Sequence, residues 1–175
     1  MDEIVLRAMA KWPDVPDCHG WLGLDARGNW YLRDALVQAR GGFMQARGER
    51  IEHRGLIDFI GRNYAADGAG CWYFQNGPQR VFVELECTPW IWRLHPDGAV
   101  VAHQGRGAGV VHACLLDRQG RAYLRCDGGV GIVHSQDMVL LAQWLGEGRW
   151  PLREIDGADL AQQEGFVLSP ARQHK

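Results

Sequence analysis

A ten-residue stretch occurs twice in this chain. Leu24-Asp25-Ala26-Arg27-Gly28-Asn29-Trp30-Tyr31-Leu32-Arg33 returns as Leu116-Asp117-Arg118-Gln119-Gly120-Arg121-Ala122-Tyr123-Leu124-Arg125, with Leu, Asp, Gly, Tyr, Leu and Arg in the same places. The shared residues are those a tight turn needs. The Asp carboxylate accepts backbone N–H groups across the turn, and the Gly three residues on supplies φ > 0 for a type I turn with a bulge. Two β-hairpins of one design are therefore expected, near 20–33 and 112–125. The segment His95-Pro96-Asp97-Gly98, between Trp90–Leu94 and Ala99–His103, keeps the Leu-x-x-x-Gly spacing and predicts a third hairpin with the same turn length. Placing Leu24 opposite Asn29 sets Trp30 against Gly23, and the same register sets Leu115 against Ala122. The bulky residue then changes strand between copies while the volume of the pair is roughly kept. None of this is chemistry. A Ca²⁺ loop needs several oxygen ligands in close succession, and Asp25 or Asp117 alone offers one or two. A β-propeller needs about four or more blades, which 175 residues with three helices do not hold.

Helical spacing appears in three longer places. Ile4, Val5, Ala8, Met9 and Trp12 share a face behind Asp2 as cap, which predicts a helix over 2–12 closed by Pro13. Leu56, Ile57, Phe59, Ile60 and Tyr64 predict a second over 54–65, and Met138, Leu141, Ala142 and Leu145 a third over 136–146, capped by Ser135. A shorter helix is expected near 158–163, ahead of a Phe166-Val167-Leu168 segment. Residues 34–50 lose periodicity and read as an exposed loop, helical in part at Ala35 to Ala39, whose Arg40, Arg47 and Arg50 are solvated or touch an anion. Between Cys71 and His134 the text is almost all strand. There Cys71–Gln75 and Arg80–Glu86 pair around Asn76-Gly77-Pro78-Gln79, read as a four-residue loop with Pro78 opening a type I turn.

Composition narrows the class. With 46% hydrophobic residues and eight Trp the chain has a core and is not disordered. A net charge of −2 lacks the basic excess of a general nucleic-acid binder. Five cysteines, an odd number with no C-x-x-C spacing, suit reduced thiols in a cytoplasm better than a secreted disulfide framework. No stretch approaches the ~20 apolar residues of a spanning helix, and the acidic start does not resemble a signal peptide. The expectation is a cytoplasmic protein without membrane or nucleic-acid partners and without a cofactor.

Candidate sites are few. Pairing Phe74 with Val81 sorts the 71–86 hairpin into an apolar face (Trp72, Phe74, Val81, Val83, Leu85) and a mixed one. The mixed face holds Cys71, Tyr73, Gln75, Arg80, Phe82, Glu84 and Glu86, rings among charges as ligand-binding faces have, or else a solvated or helix-covered face with an Arg80 ion pair. From it, Tyr73, Asn76, Arg80, Phe82 and Glu84 are taken as the binding candidates. His112-x-Cys114 on a strand, with Cys126 and His134 nearby, is a weak zinc alternative, since nothing in the spacing matches a zinc finger or knuckle. Cys18-His19 offers a thiolate pair only on paper, because neighbours on an extended segment point apart. Glu84 and Glu86 can serve as acid and base, but no third catalytic group follows from sequence. There is no Walker loop, dinucleotide fingerprint, nucleophile elbow or metalloprotease helix, and Gly105-Arg106-Gly107-Ala108-Gly109 lacks the Lys-Ser/Thr that a phosphate loop carries.

Longer motifs carry a resemblance. Lys11-Trp12-Pro13-Asp14-Val15-Pro16, Gly20-Trp21-Leu22-Gly23-Leu24-Asp25, Gly70 to Val81 and Thr88-Pro89-Trp90-Ile91 resemble a family of uncharacterised proteobacterial proteins, a domain of unknown function, over most of residues 4–95. The resemblance implies a soluble bacterial protein and brings no activity, cofactor or catalytic residue.

The expected fold is α+β: one domain over 1–175 with internal pseudo-repetition, a largely antiparallel sheet of about seven to nine hairpin strands, and helices on or beside it. The expected function is non-catalytic binding or an adaptor role. The rivals are a hydrolytic or metal-assisted enzyme built on Glu84, Glu86, His112 and Cys114, and a structural subunit of a homo-oligomer showing a Trp-rich patch.

Overall fold

The computed structural model describes residues 1–173. Among them are twelve strands and six α-helices in two mostly antiparallel six-stranded sheets, an α+β fold with more strands than the hairpin count suggests. The chain clusters into two compact units. The first comprises Met1–Asp25, Asn29–Glu86 and, of the described residues, 165–173; the second comprises Ala26–Gly28 and Cys87–Glu164.

In the first unit the strands are β1 (Cys18–Leu24), β2 (Trp30–Leu32), β3 (Glu49–Arg50), β4 (Tyr64–Ala66), β5 (Trp72–Asn76) and β6 (Gln79–Leu85), in the order β3-β2-β1-β6-β5-β4. Its helices are α1 (Glu3–Lys11), α2 (Ala35–Ala39), α3 (Arg54–Arg62) and the short C-terminal α6 (Pro170–Gln173). In the second unit β7 (Trp90–Leu94), β8 (Val100–Ala102), β9 (Val111–Leu116), β10 (Ala122–Cys126), β11 (Gly129–Val133) and β12 (Leu152–Glu154) lie in the order β12-β9-β10-β11-β7-β8, with α4 (Met138–Gly146) and α5 (Leu160–Glu164).

Both sheets share a plan. An opening hairpin (β1–β2; β7–β8) is followed by a three-stranded meander (β4–β5–β6; β9–β10–β11) whose last strand returns parallel to the first strand of the hairpin. The structural counterpart of β1–β2 is thus β7–β8, with its His95-Pro96-Asp97-Gly98 turn. The second copy of the decapeptide forms β9–β10, part of the meander.

All three hairpins have the same three-residue loop. Asp25, His95 and Asp117 donate their N–H groups to the carbonyls of Asn29, Ala99 and Arg121, and Gly28, Gly98 and Gly120 take positive φ. The register expected from sequence is off by one. Leu24 faces Trp30, Leu116 faces Ala122, Gly23 faces Tyr31 and Leu115 faces Tyr123. The loop is one residue shorter than assumed because the Asp itself pairs with the residue after the Gly. The proposed exchange of bulk between Trp30 and Leu115 therefore does not occur. Space beside Gly23 is filled instead from a loop: Phe43, 4% exposed, lies where a Cβ on Gly23 would approach its ring within 2.3 Å.

The β5–β6 turn also differs. Asn76 pairs with Gln79, leaving a two-residue loop of Gly77 and Pro78. Gly77 has φ +58° and proline fixes its own φ negative, a combination that fits a type II′ turn. Proline blocks the Asn-Gly turn because it cannot donate at the closing position; sliding the turn by one residue lets Gln79 do so.

Helix α1 keeps the expected span, but Asp2 does not cap it. Its carboxylate meets Arg62 Nε, and its N–H donates to Asn63 Oδ1 at 2.7 Å, tying α1 to the end of α3. Helix α3 stops early because Tyr64 turns into β4, where it is buried against Trp30 and Trp72. The turn before α4 is capped by His134 Nδ1, not by Ser135. Residues 40–47 are not a loose loop: the buried Arg33 donates to the carbonyls of Ala46, Gly20 and Gly41, and Arg47 reaches Glu86 at 2.9 Å.

In the first unit Leu22, Leu24, Trp30, Phe74, Val83 and Leu85 line one sheet face and pack on α3, with Phe59 edge-on to Phe74. In the second, Trp90 and Trp92 stack on one side of β7, and Gly131 opposite has no Cβ because one would sit 2.6 Å from Trp92 Nε1.

Candidate functional site

The second face of the first sheet carries the site. Strand parity puts Tyr73, Gln75, Arg80, Phe82 and Glu84 on it, and the register pairs Gln75 with Arg80 and Tyr73 with Phe82. Three things cover this face: the Phe43 loop, the C-terminal segment and α1 with its Pro13–Asp17 connector.

The C-terminal segment takes Glu84. Its carboxylate, 3% exposed, accepts from the Ser169 hydroxyl and from the Ala171 N–H at 3.1 Å, capping the start of α6. Leu85 N–H donates to the Leu168 carbonyl beside it. Phe82 is also enclosed, stacked on the His19 ring at 4.6 Å and edge-on to Tyr73. Asn76 lies on the opposite face by parity, at the rim of an apolar cavity of about 270 Å³ bounded by Trp21, Leu32, Leu56, Phe74 and Val81. Of the five binding candidates, the structure brings together two that remain open, Tyr73 and Arg80.

Those two line a cavity of about 290 Å³. Its floor is Tyr73, Gln75 and Arg80; its other walls are Met9 and Trp12 of α1, then Pro13, Val15, Asp17 and Pro78. Arg80 Nε donates to Asp17 Oδ1 at 3.1 Å, and its guanidinium lies over the rings of Tyr73 and Phe82, 5.7 and 5.9 Å from their centroids. Gln75 is 1% exposed; its amide nitrogen donates to the Gly77 carbonyl at 2.9 Å. Among the described residues its Oε1 has no hydrogen-bond partner. A buried acceptor left unmade costs about 1–3 kcal/mol, but with less than 1 Å² accessible this oxygen is closed to the cavity.

Gln75, Asp17, Met9 and Trp12 were not singled out from sequence. Gln75 already sat on the mixed face by parity, and its cross-strand position opposite Arg80 was the available signal. Nothing local shows that α1 and its connector roof that face.

The catalytic and metal candidates are each engaged elsewhere. Glu86 pairs with Arg47 in the first unit. In the second, the β9–β10 register slips at His112, so the His112-x-Cys114 alternation is broken by a bulge. His112 Nε2 meets Asp127 Oδ1 at 2.7 Å on the surface, whereas Cys114 is fully buried and burial pushes its thiol up to about 11. Burial, and then the charge of Asp127, push Cys126 up to about 12. Among the described residues no group of three or more His, Cys, Asp or Glu is placed to hold a metal ion. Cys18 borders the apolar cavity on the first sheet face while His19 stacks on the second, pointing apart as expected. The Gly105–Gly109 stretch folds back along β8, with Arg106 and Ala108 bonded to Ala102 and Val100.

A larger cavity, about 350 Å³, lies in the second unit among Leu116, Asp117, Arg118, Glu154, Ile155 and Asp156. Its buried carboxylate, Asp117, is already satisfied by the N–H groups of Gln119 and Arg121, by Arg121 Nε and by the Tyr123 hydroxyl. Volume alone does not distinguish the two cavities; the arginine stacked on Tyr73, with only its Nε committed among the described residues, does.

A family model described as "Protein of unknown function (DUF2946)" matches residues 1–171. The chain belongs to this family. The match spans the regions in which the motif resemblance was seen, and the family's description names no activity. No curated protein matches the sequence. A solved structure of a DUF1285 family protein from Silicibacter pomeroyi DSS-3 is similar, with a TM-score of 0.50 and 11% identity over 82% of this chain and 84% of that one. At that identity the likeness shows the fold alone.

Proposed function

We propose that this protein is a non-catalytic binding module that takes a small amphipathic ligand between α1 and the β5–β6 hairpin. The observation that carries the reading is Arg80 in the lining of the cavity, its guanidinium over the Tyr73 and Phe82 rings and only its Nε committed, to Asp17, among the described residues. Apolar walls with a few convergent polar groups are the usual make-up of a ligand pocket. The five free cysteines support a reducing compartment, and we place the protein in a bacterial cytoplasm. Among the described residues no helix is long and apolar enough to cross a membrane.

The test is a fragment screen read by ¹H–¹⁵N NMR, following the Trp12 indole and the Tyr73 to Arg80 amides. Hits should shift these resonances in a saturable way, and Arg80→Met should abolish the shifts while the spectrum elsewhere is kept. A library that perturbs the cavity no more than the rest of the surface overturns the reading.

A second reading, self-association, is favoured by Trp21 and Leu32, which are 45% and 51% exposed beside the apolar cavity on the other face. Light scattering on Trp21→Ser against wild type decides it: the variant must lower the oligomeric state.

A further inference from the structure

We infer that the ligand of the Arg80 cavity is a small aromatic monocarboxylate, an inference that rests on the binding-module reading and gives it a chemical class.

Arg80 sets the polar end. A guanidinium carries its N–H donors in a fixed fork that matches a carboxylate with two parallel bonds. Its Nε donates to Asp17 at 3.1 Å, and among the described residues its two terminal nitrogens have no acceptor. Arg80 lines the cavity and its side chain is 44% exposed, so those nitrogens are within reach of a ligand. The Asp17 bond and the neighbouring Tyr73 and Phe82 rings already hold the guanidinium, which leaves it little side-chain freedom to lose when an anion docks. A cation finds less: Asp17 already answers Arg80, and the Gln75 oxygen is closed to the cavity.

Charge sets the valence. Arg80 and Asp17 cancel as an ion pair, and Asp14 of the same connector is no part of the lining. Lys11 is left over, its ammonium 4.5 Å from the centroid of the Trp12 ring, which is one of the walls. An excess of one positive charge matches a monoanion. An amine would face two cations, and a zwitterion would bring an ammonium with no open partner.

The walls set the remainder. Trp12 comes from the α1 side and Tyr73 from the sheet, so an aromatic ring entering between them meets a ring on each side, which favours it over an aliphatic group of the same size. Met9 adds a thioether, itself a good neighbour for a ring. The volume, about 290 Å³, falls at the small end of ligand pockets, which run from about 300 to 1,000 Å³.

The experiment is isothermal titration calorimetry of the full chain with 3-phenylpropionate and indole-3-acetate. The comparison ligands are 3-phenylpropanamide, which keeps the ring and loses the charge, 3-cyclohexylpropionate, which keeps the charge and loses the ring, acetate and L-phenylalanine. The aromatic acids should bind saturably, and the amide at least about tenfold more weakly, the loss of one charge-assisted hydrogen bond. The cyclohexyl acid should bind about two- to tenfold more weakly, the size of an aromatic pair. Arg80→Met should bring 3-phenylpropionate down to the level of its amide, and Arg80→Lys, which keeps the charge but not the fork, should fall between. Lys11→Met should weaken the acid up to about fivefold and flatten its salt dependence. Equal affinity for acid and amide in the wild type overturns the inference, and so does acetate or L-phenylalanine binding as tightly as the aromatic acids. Silence from every acid while fragments still shift the cavity resonances also overturns it and leaves the module reading standing. If neither acids nor fragments act on the cavity, both fall.

Discussion

Replacing Asp117 by alanine is expected to destabilise the second unit far more than replacing Asp25 destabilises the first, although the two residues hold the same place in the repeated motif. One Asp117 oxygen accepts from Gln119 N–H and Arg121 N–H, each at 2.9 Å, and the other from Arg121 Nε and the Tyr123 hydroxyl, each at 2.8 Å. The turn N–H groups and Arg121 can turn to water when the carboxylate is gone. Tyr123 cannot, because it is fully buried. A stranded hydroxyl costs about 1–3 kcal/mol and each of the three other lost bonds about 0.5–1.5 kcal/mol, so Asp117→Ala should cost about 3–7 kcal/mol. At 4 kcal/mol the melting temperature falls by about 8–16 °C for a chain of this size. Asp25 bonds Tyr31 at a longer 3.2 Å, and Tyr31 is only half-buried, so water can replace the carboxylate. Asp25→Ala should cost about 1–3 kcal/mol less, the size of the stranded-donor penalty. The assay is urea unfolding followed by circular dichroism, on the single variants, on Tyr123→Phe and on the Asp117→Ala, Tyr123→Phe double variant. Phenylalanine removes the stranded hydroxyl, so the double variant should be about 1–3 kcal/mol more stable than the sum of the singles. Additivity within about 0.5 kcal/mol would refute the reasoning.

Asp117 and Asp137 also set an acid limit. Burial alone would raise both carboxyls, but Arg121 and Tyr123 in one case, and Arg93 with the Leu94 N–H in the other, outweigh it and hold them below the ordinary Asp range. The stability they contribute is complete above the unfolded value of about 3.9 and is lost as pH falls through the lower folded values; pH-dependent melts of the Asp117→Asn, Asp137→Asn double variant should show a shallower acid fall than wild type. Arg33→Met, which leaves the carbonyls of Gly20, Gly41 and Ala46 without their shared donor, should cost about 3 kcal/mol. Hydrogen exchange should show residues 41–47 opening first, and unchanged protection there would contradict the pin. Gly23→Ala should cost about 1–3 kcal/mol by driving a methyl into Phe43; thermal melts should show Phe43→Leu recovering part of the loss.

What could be read from the chain was local. The Asp and Gly of the repeated turn, the spans of α1, α2 and α4 and the pairing of Phe74 with Val81 all depend on residues within a few positions of one another. The misplaced register of β1–β2 was an error about one residue's role, since Asp25 closes the turn and does not sit inside it. The parallel pairs β1–β6 and β7–β11 join strands far apart in sequence and leave no local period to detect. For the same reason nothing in Glu84 itself announced that Ser169 and Ala171 would occupy it. The site was half legible: Tyr73 and Arg80 followed from strand parity, but the cavity they line depends on residues 9–17, which nothing local places there.

The repeated decapeptide and the repeated sheet plan are out of step. Superposing the two motif copies would carry Leu24 onto Leu116, whereas matching the opening hairpins carries Leu24 onto Leu94. A duplication of the whole unit would have brought the motif to β7–β8, where only its leucine and glycine spacing survives. The likeness of the decapeptides therefore follows the demands of this turn and of the Asp–Tyr bond across it, in two hairpins that hold different places in the sheet plan. Alignments of relatives that let the motif slide between these two places would exchange a hairpin strand for a meander strand and misassign every residue that follows.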